Sequence, residues 1–133
     1  VYKISSATSS NAIDWRKDGK LLITDELGEN ECQALPTVAK HNDIYHMFFC
    51  YRDAFGFRDQ KGKGYRMGYA ISEDLENWDR QPTPQGLELS NEGWDSEMMC
   101  YPCVFECDQK LYLIYNGNSF GKSGFGLAVW EEE

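Results

Sequence analysis

The sequence has few basic residues, two histidines, four prolines and no extended apolar run in its 133 residues. Its longest apolar stretch, Tyr45 to Tyr51, falls far short of the ~20 residues a bilayer-spanning helix needs, and the mean hydropathy is −0.60. A membrane span is therefore not expected. Thirteen Lys and Arg against 22 Asp and Glu leave a net charge of −9, a balance that repels nucleic-acid phosphates and anionic lipid surfaces. Neither nucleic acid nor membrane is expected as a partner. The start at Val1 shows no basic segment followed by an apolar one, so the chain is expected to be a processed form or a piece of a longer polypeptide.

An even set of cysteines is also lacking. Cys32, Cys50, Cys100, Cys103 and Cys107 are five, which excludes a fully paired disulfide framework and favours a reducing, cytoplasmic setting. The spacing Cys100-x-x-Cys103-x-x-x-Cys107 has no second Cys or His pair to complete a zinc site, and on a strand Cys100 and Cys103 face opposite sides. The cysteines read as small buried hydrophobes, with no metal and no cofactor expected.

What the chain does contain is a repeat. A shift of 63 lays Tyr2-Lys3-Ile4 on Tyr65-Arg66-Met67, Ala7 on Ala70, Ser9 on Ser72 and Trp15 on Trp78. A shift of 66 lays Leu35-Pro36-Thr37-Val38 on Tyr101-Pro102-Cys103-Val104 and Glu31 on Glu97. One further residue of drift brings Tyr45-His46-Met47-Phe48 onto Tyr112-Leu113-Ile114-Tyr115, and Gly124 to Ala128 resembles Gly64 to Gly68 as the start of a third copy. A supersecondary unit of about 65 residues, with its length changes in loops, accounts for these matches. The chain is thus one domain with units near 1–64 and 65–133.

Within each unit the apolar runs are short, rich in Val, Ile, Tyr and Phe, and separated by turn signals such as Asn42-Asp43 and Gly62-Lys63-Gly64. They predict strands near 3–7, 15–16, 37–40, 45–51, 65–72, 78–80, 102–106, 110–115 and 124–130. Labelled A to D within a unit, these run C-D, A-B-C-D, A-B-C. Four short antiparallel strands per repeat give an all-β chain of β-propeller blades, with a β-sandwich as the alternative.

Ser72-Glu73-Asp74-Leu75-Glu76-Asn77-Trp78, following Tyr65 to Ala70, resembles the blade signature of the five-bladed propeller glycosidases. That superfamily includes the arabinanase, levansucrase and invertase group and glycoside hydrolase families 43 and 32. Locally, Ser72 and Asp74 are suited to cap a turn, and Trp78 to pack an outer strand. Asn11 to Trp15 is a degraded copy. The resemblance covers about two of the five blades, so it implies a partial propeller and glycosidic-bond hydrolysis or binding of an oligosaccharide. It also implies acidic residues at the innermost strands, each of which carries a Pro.

On that basis Glu97 and Glu31 are the candidate catalytic residues, each preceding a proline-bearing inner strand. Glu97 also follows Trp94, an apolar neighbour able to raise a carboxyl pKa. Two residues before the prolines, where the family commonly places its acid, stand Cys100 and Ala34. Asp95, Trp94, Tyr101, Arg52, Asp53 and Asn116 are candidate sugar contacts, with Tyr51 and Phe120 as further rings able to stack. An assembly module that kept the blades and lost the chemistry is the second reading. The segment Asn116 to Gly124 is one residue short of a phosphate loop and is followed by a strand, so it reads as a loop at a blade edge. Blades that do not close a ring leave apolar faces open, so a homo-oligomer is expected.

Overall fold

The computed structural model describes residues 1–131. Nine strands are formed: β1 (Ser5–Thr8), β2 (Arg16–Leu21), β3 (Glu31–His41), β4 (Ile44–Asp53), β5 (Arg66–Ser72), β6 (Asp79–Gln81), β7 (Cys100–Cys107), β8 (Lys110–Asn116) and β9 (Phe125–Val129). They build three antiparallel sheets, β1-β2, β3-β4-β5-β6 and β7-β8-β9, in the order the repeat implies. The turn α1 (Asn118–Gly121), absent from the sequence expectation, is not a regular helix, because Ser119 and Phe120 hold left-handed φ values.

The inner strands β3 and β7 are longer than expected, since both begin before their proline and carry it through a bulge. Pairing with the neighbouring strand slips between Ala34 and Thr37 in β3, and between Cys100 and Cys103 in β7. In each bulge the residue ahead of the Pro takes a left-handed φ, 53° at Leu35 and 54° at Tyr101. A bulge absorbs the missing N–H of proline, which a central ladder would not tolerate.

Two-residue hairpins set the register at the other end. Asn42-Asp43 and Asp108-Gln109 all have positive φ, the geometry of a type I′ turn, whose twist matches that of the strands it joins. His41 therefore pairs with Ile44, and Cys107 with Lys110. This corrects the extra residue of drift read from the sequence: β4 corresponds to β8 at the same shift of 66 as β3 to β7, with Phe48 on Ile114 and Phe49 on Tyr115. The third-copy match is corrected too. Cys50 pairs with Met67 and its equivalent Asn116 with Phe125, so Met67-Gly68-Tyr69-Ala70-Ile71 lies on Phe125-Gly126-Leu127-Ala128-Val129. In both units an aromatic ring on the second strand lies over a glycine on the third: a Cβ on Gly68 would sit 2.4 Å from the Phe49 ring, and one on Gly126 would sit 2.9 Å from Tyr115.

The central sheet is covered on both faces. Phe48, Met67 and Tyr69 pack against Val104, Leu111, Leu113 and Tyr115 of the third sheet. Met47, Phe49, Tyr51 and Ala70 pack against Ile4 and Ile23 from the first unit. The third sheet turns its other face, with Phe105, Ile114, Leu127 and Val129, to solvent. The register makes this open face the equivalent of the one the central sheet buries against the third. A groove of about 970 Å³ beside it, lined by Phe48, Leu87, Leu111, Leu113 and Trp130 among others, lies apart from the carboxylates at issue below.

The Ser72 and Asp74 turn forms as its residues predict. Ser72 Oγ accepts the N–H groups of Asp74 and Leu75, Asp74 Oδ1 accepts those of Glu76 and Asn77, and Trp78 Nε1 donates to the Leu75 carbonyl.

All five cysteines are free thiols, but they are not alike. Cys32, Cys50 and Cys100 are buried, whereas Cys103 and Cys107 are exposed, which corrects their reading as buried hydrophobes. Burial pushes the Cys50 thiol up to about 11 and that of Cys100 to about 12. A disulfide-exchange reagent should therefore label two thiols rapidly in the native protein and three more only on unfolding. A count of five fast thiols would show that the inner strands are not packed as described.

Candidate functional site

The amino ends of β3 and β7, the carboxyl ends of β4 and β8, and the connections 54–65 and 117–124 meet at one rim. Paired hydrogen bonds build it. The N–H of Gln33 donates to the Tyr2 carbonyl, and in the next unit the N–H of Met99 donates to the Tyr65 carbonyl, each at 2.9 Å. The hydroxyls of Tyr2 and Tyr65, matched in the sequence repeat, then meet at 2.6 Å.

Glu31 and Glu97, matched by the repeat, have opposite environments. Glu31 lies within the β3 ladder opposite Asp53 and is wholly buried. Its Oε2 accepts the N–H groups of Glu26 and Leu27 at 2.8 Å each. Its Oε1 accepts Gln33 Nε2 at 2.9 Å and Arg80 Nη1 at 2.7 Å. Burial alone would raise its pKa, but the four donors outweigh burial and hold the carboxyl below the ordinary range. A carboxylate with all its acceptor positions taken is a clamp between the first connection and β6, with nothing left to offer a substrate.

Glu97 is exposed, three residues ahead of β7, and among the described residues its carboxylate has no hydrogen-bond or ion-pair partner. Its backbone, by contrast, is fixed. Asn118 Oδ1 accepts the N–H groups of Glu97 (2.8 Å) and Met98 (3.0 Å), while Asn118 Nδ2 donates to Gly93 O and Ser96 Oγ. The Asn118 N–H donates to the Trp94 carbonyl at 2.7 Å. Asn118 thus ties the 117–121 turn to the segment carrying Glu97, and the sequence reading did not single it out. An asparagine opening a Gly-rich loop was the available signal.

Trp94 does not stand beside Glu97 as an apolar shield. Its ring stacks on Tyr115 at 5.6 Å and 22°, and it fills the space left by Gly117 and Gly126. A Cβ on Gly126 would approach Trp94 Cη2 to 2.6 Å. Gly126→Ala is accordingly expected to cost about 1–3 kcal/mol through overpacking. Urea denaturation followed by Trp emission checks this, and a loss under ~0.5 kcal/mol would place the Trp94 ring elsewhere. Asp95, next in sequence, is 6% exposed, and its charge adds to burial in raising the Tyr115 pKa. Tyr51 is also core, packed against Ile4 and Phe49.

Arg52 is buried at the end of β4 in an aromatic cage. Its guanidinium lies 3.5 Å from the Phe57 ring centroid and 5.1 Å from that of Tyr65, while Nη2 donates to the Tyr2 hydroxyl and Nη1 to the Asp53 carbonyl. The Arg52–Asp53 contact is thus to backbone, which leaves the half-buried Asp53 carboxylate outside that bond. Cation–π contact takes the place of a carboxylate partner. Asn116, the last residue of β8, pairs with Cys100 and reaches the Phe120 carbonyl with Nδ2 at 3.5 Å.

Tyr101 and Phe120 remain exposed at this rim, at 43% and 37%, with ring centroids 6.2 Å apart; Phe120 also contacts Tyr65 edge-on at 6.3 Å. Both hold left-handed φ values, as does Ser119. Non-glycine residues in that region cost on the order of 1 kcal/mol or more each, and such strain collects at binding sites.

No family model matches this chain. Over 130 residues, 98% of the chain, it is 34% identical to two proteins of Mycobacterium tuberculosis, "Uncharacterized protein MT1551" (strain CDC 1551 / Oshkosh) and "Uncharacterized protein Rv1502" (strain ATCC 25618 / H37Rv). The chain spans about 40% of the length of these curated relatives. Among solved structures, a "Glycoside hydrolase" superposes on 98% of this chain and 36% of its own length, with a TM-score of 0.69 and 19% identity. A second, a complex of BT0996 and RGII, covers 96% of this chain and 34% of its own, with a TM-score of 0.66 and 20% identity. At such identity the likeness is one of fold: an all-β chain of three antiparallel sheets, arranged as in part of a glycoside hydrolase structure.

Proposed function

We propose that this chain forms part of a carbohydrate-active five-bladed propeller, and that its rim holds an oligosaccharide beside Glu97. The observation that carries this reading is the pairing of an uncommitted carboxylate, on a backbone pinned by Asn118, with two exposed aromatic rings on the same rim. The fold likeness to a protein titled glycoside hydrolase supports it. Glycoside hydrolysis needs two carboxyl groups flanking the scissile bond, about 5–5.5 Å apart for retention or about 6.5–9.5 Å for inversion. Glu97 is the general acid in this reading, and Asp53 or a carboxylate from a further blade is its counterpart. Glu31, fully bonded, supports the rim without touching substrate.

The chain spans under half the length of its curated relatives, so binding is expected from the 133 residues and turnover from a polypeptide of the relatives' length. Calorimetric titration with short oligosaccharides, and p-nitrophenyl glycosides offered to the longer polypeptide, test the two parts. Binding without turnover in both would favour the assembly reading, to which Cys100 and Ala34 at the family's acid positions already lend weight. The absence of both binding and turnover would refute the proposal.

A further inference from the structure

We infer that Tyr101 and Phe120 form the stacking platform for one sugar ring, set beside Glu97 by the backbone of the 117–121 turn. This rests on the carbohydrate reading above and deepens it by naming the subsite. Exposed aromatic rings are common, but these two are held out at a conformational cost. Tyr101 lies at a left-handed φ of 54° and Phe120 at 59°, with Ser119 beside it at 54°. The bulge that sets Tyr101 recurs at Leu35 in the first unit, so it belongs to the fold. An aromatic ring on that bulge belongs to the second unit alone, and the strain at Ser119 and Phe120 is separate from the bulge.

The surroundings define what the platform takes. Tyr65 supports Phe120 edge-on from beneath, with its own hydroxyl engaged by Tyr2, so the ring pair has a fixed floor. The planes of Tyr101 and Phe120 differ by 31°. Asn118 binds the N–H groups of Glu97 and Met98 from the same turn that carries Phe120, which fixes rings and carboxylate as one unit. Asn116 Nδ2 reaches the Phe120 carbonyl, so a carboxamide also stands at the edge. An apolar floor with a carboxylate and an amide at its margin suits a ligand with one apolar face and a hydroxylated perimeter. A neutral furanose or pyranose ring has that shape.

The test uses the 133-residue chain with arabinotriose and the fructo-oligosaccharide 1-kestose as probes, read by isothermal titration and by thermal unfolding. Wild type is expected to bind one of them, and Tyr101→Ala and Phe120→Ala each to weaken it at least about tenfold, the range of a single lost stacking contact. Tyr101→Phe should keep the affinity within about threefold, since the ring carries the contact. Glycine isolates the strain: Phe120→Gly should melt a few degrees above Phe120→Ala while binding no better. If wild type binds and both alanine variants bind equally well, the platform is wrong and the carbohydrate reading stands. If wild type binds neither probe, both fall. An alanine variant as stable as its glycine counterpart would remove the strain argument and overturn the inference that these rings are held out for a ligand.

Discussion

Glu31→Ala is expected to lower the unfolding free energy by about 3–5 kcal/mol, because it leaves the buried Arg80 without its carboxylate and strips two backbone N–H groups of their acceptor. Arg80 has only 8% of its side chain exposed, and its guanidinium lies 4.5 Å from the Tyr51 ring centroid, so it has little access to water in compensation. Glu31→Gln should recover part of the loss. A carboxamide accepts on one side only, and its NH₂ must then face either Arg80 or the two N–H groups as donor against donor. The pH dependence follows the same bonds. The folded pKa of Glu31 is depressed below its ordinary 4.5, so its contribution is fully present above that value and is lost as pH falls toward the folded pKa. Glu31→Ala should therefore flatten the fall in stability below pH 4.5. Urea unfolding at several pH values measures both effects, and a cost under ~1 kcal/mol at neutral pH would refute the clamp.

Glu97→Gln is expected to cut turnover by about 10²–10⁴-fold in a polypeptide of the relatives' length, the range contributed by a positioned general acid. The substitution keeps the shape, and the bonds from Asn118 reach the backbone of Glu97 and Met98, so the turn should stay in place. Loss should appear in kcat with KM little changed, and the alkaline limb of the pH profile should disappear with the acid that produces it. A substrate with a good leaving group, such as a dinitrophenyl glycoside, should suffer much less. Equal losses on good and poor leaving groups would assign Glu97 to binding, and unchanged turnover would remove it from the site.

The order of the strands was legible because each is a short run of β-branched and aromatic residues bounded by turn residues, and the sheets contain two, four and three strands as that order implies. Register was less legible. Matching Tyr45 to Tyr112 maximised residue likeness, but Asn42-Asp43 and Asp108-Gln109 close hairpins of the same length, and a one-residue slip would have put Leu113 on the wrong face. The inner strands looked short because Pro36 and Pro102 read as strand boundaries, although a bulge carries each of them. At the candidate site, repetition drew Glu31 and Glu97 into one role. What separates them is Arg80, 49 residues from Glu31 and brought to it only by the fold. The same holds for Trp94, whose partners Gly117 and Gly126 become recognisable as a socket only once β9 is paired.

The two units differ in length at one end of their sheets alone. At the far end both hairpins are two-residue turns, which leave no room for an added residue without turning the strands over. At the rim, the connection between Cys50 and Met67 is longer than its counterpart between Asn116 and Phe125, yet the paired strands keep their correspondence. Length can therefore change at the rim without disturbing the layers beneath, so ligand preference can diversify by insertion and deletion there while the core sequence stays fixed. For anyone transplanting specificity between relatives, residues 54–65 and 117–124 are the natural cassettes, and Asn118 is the residue a graft must keep.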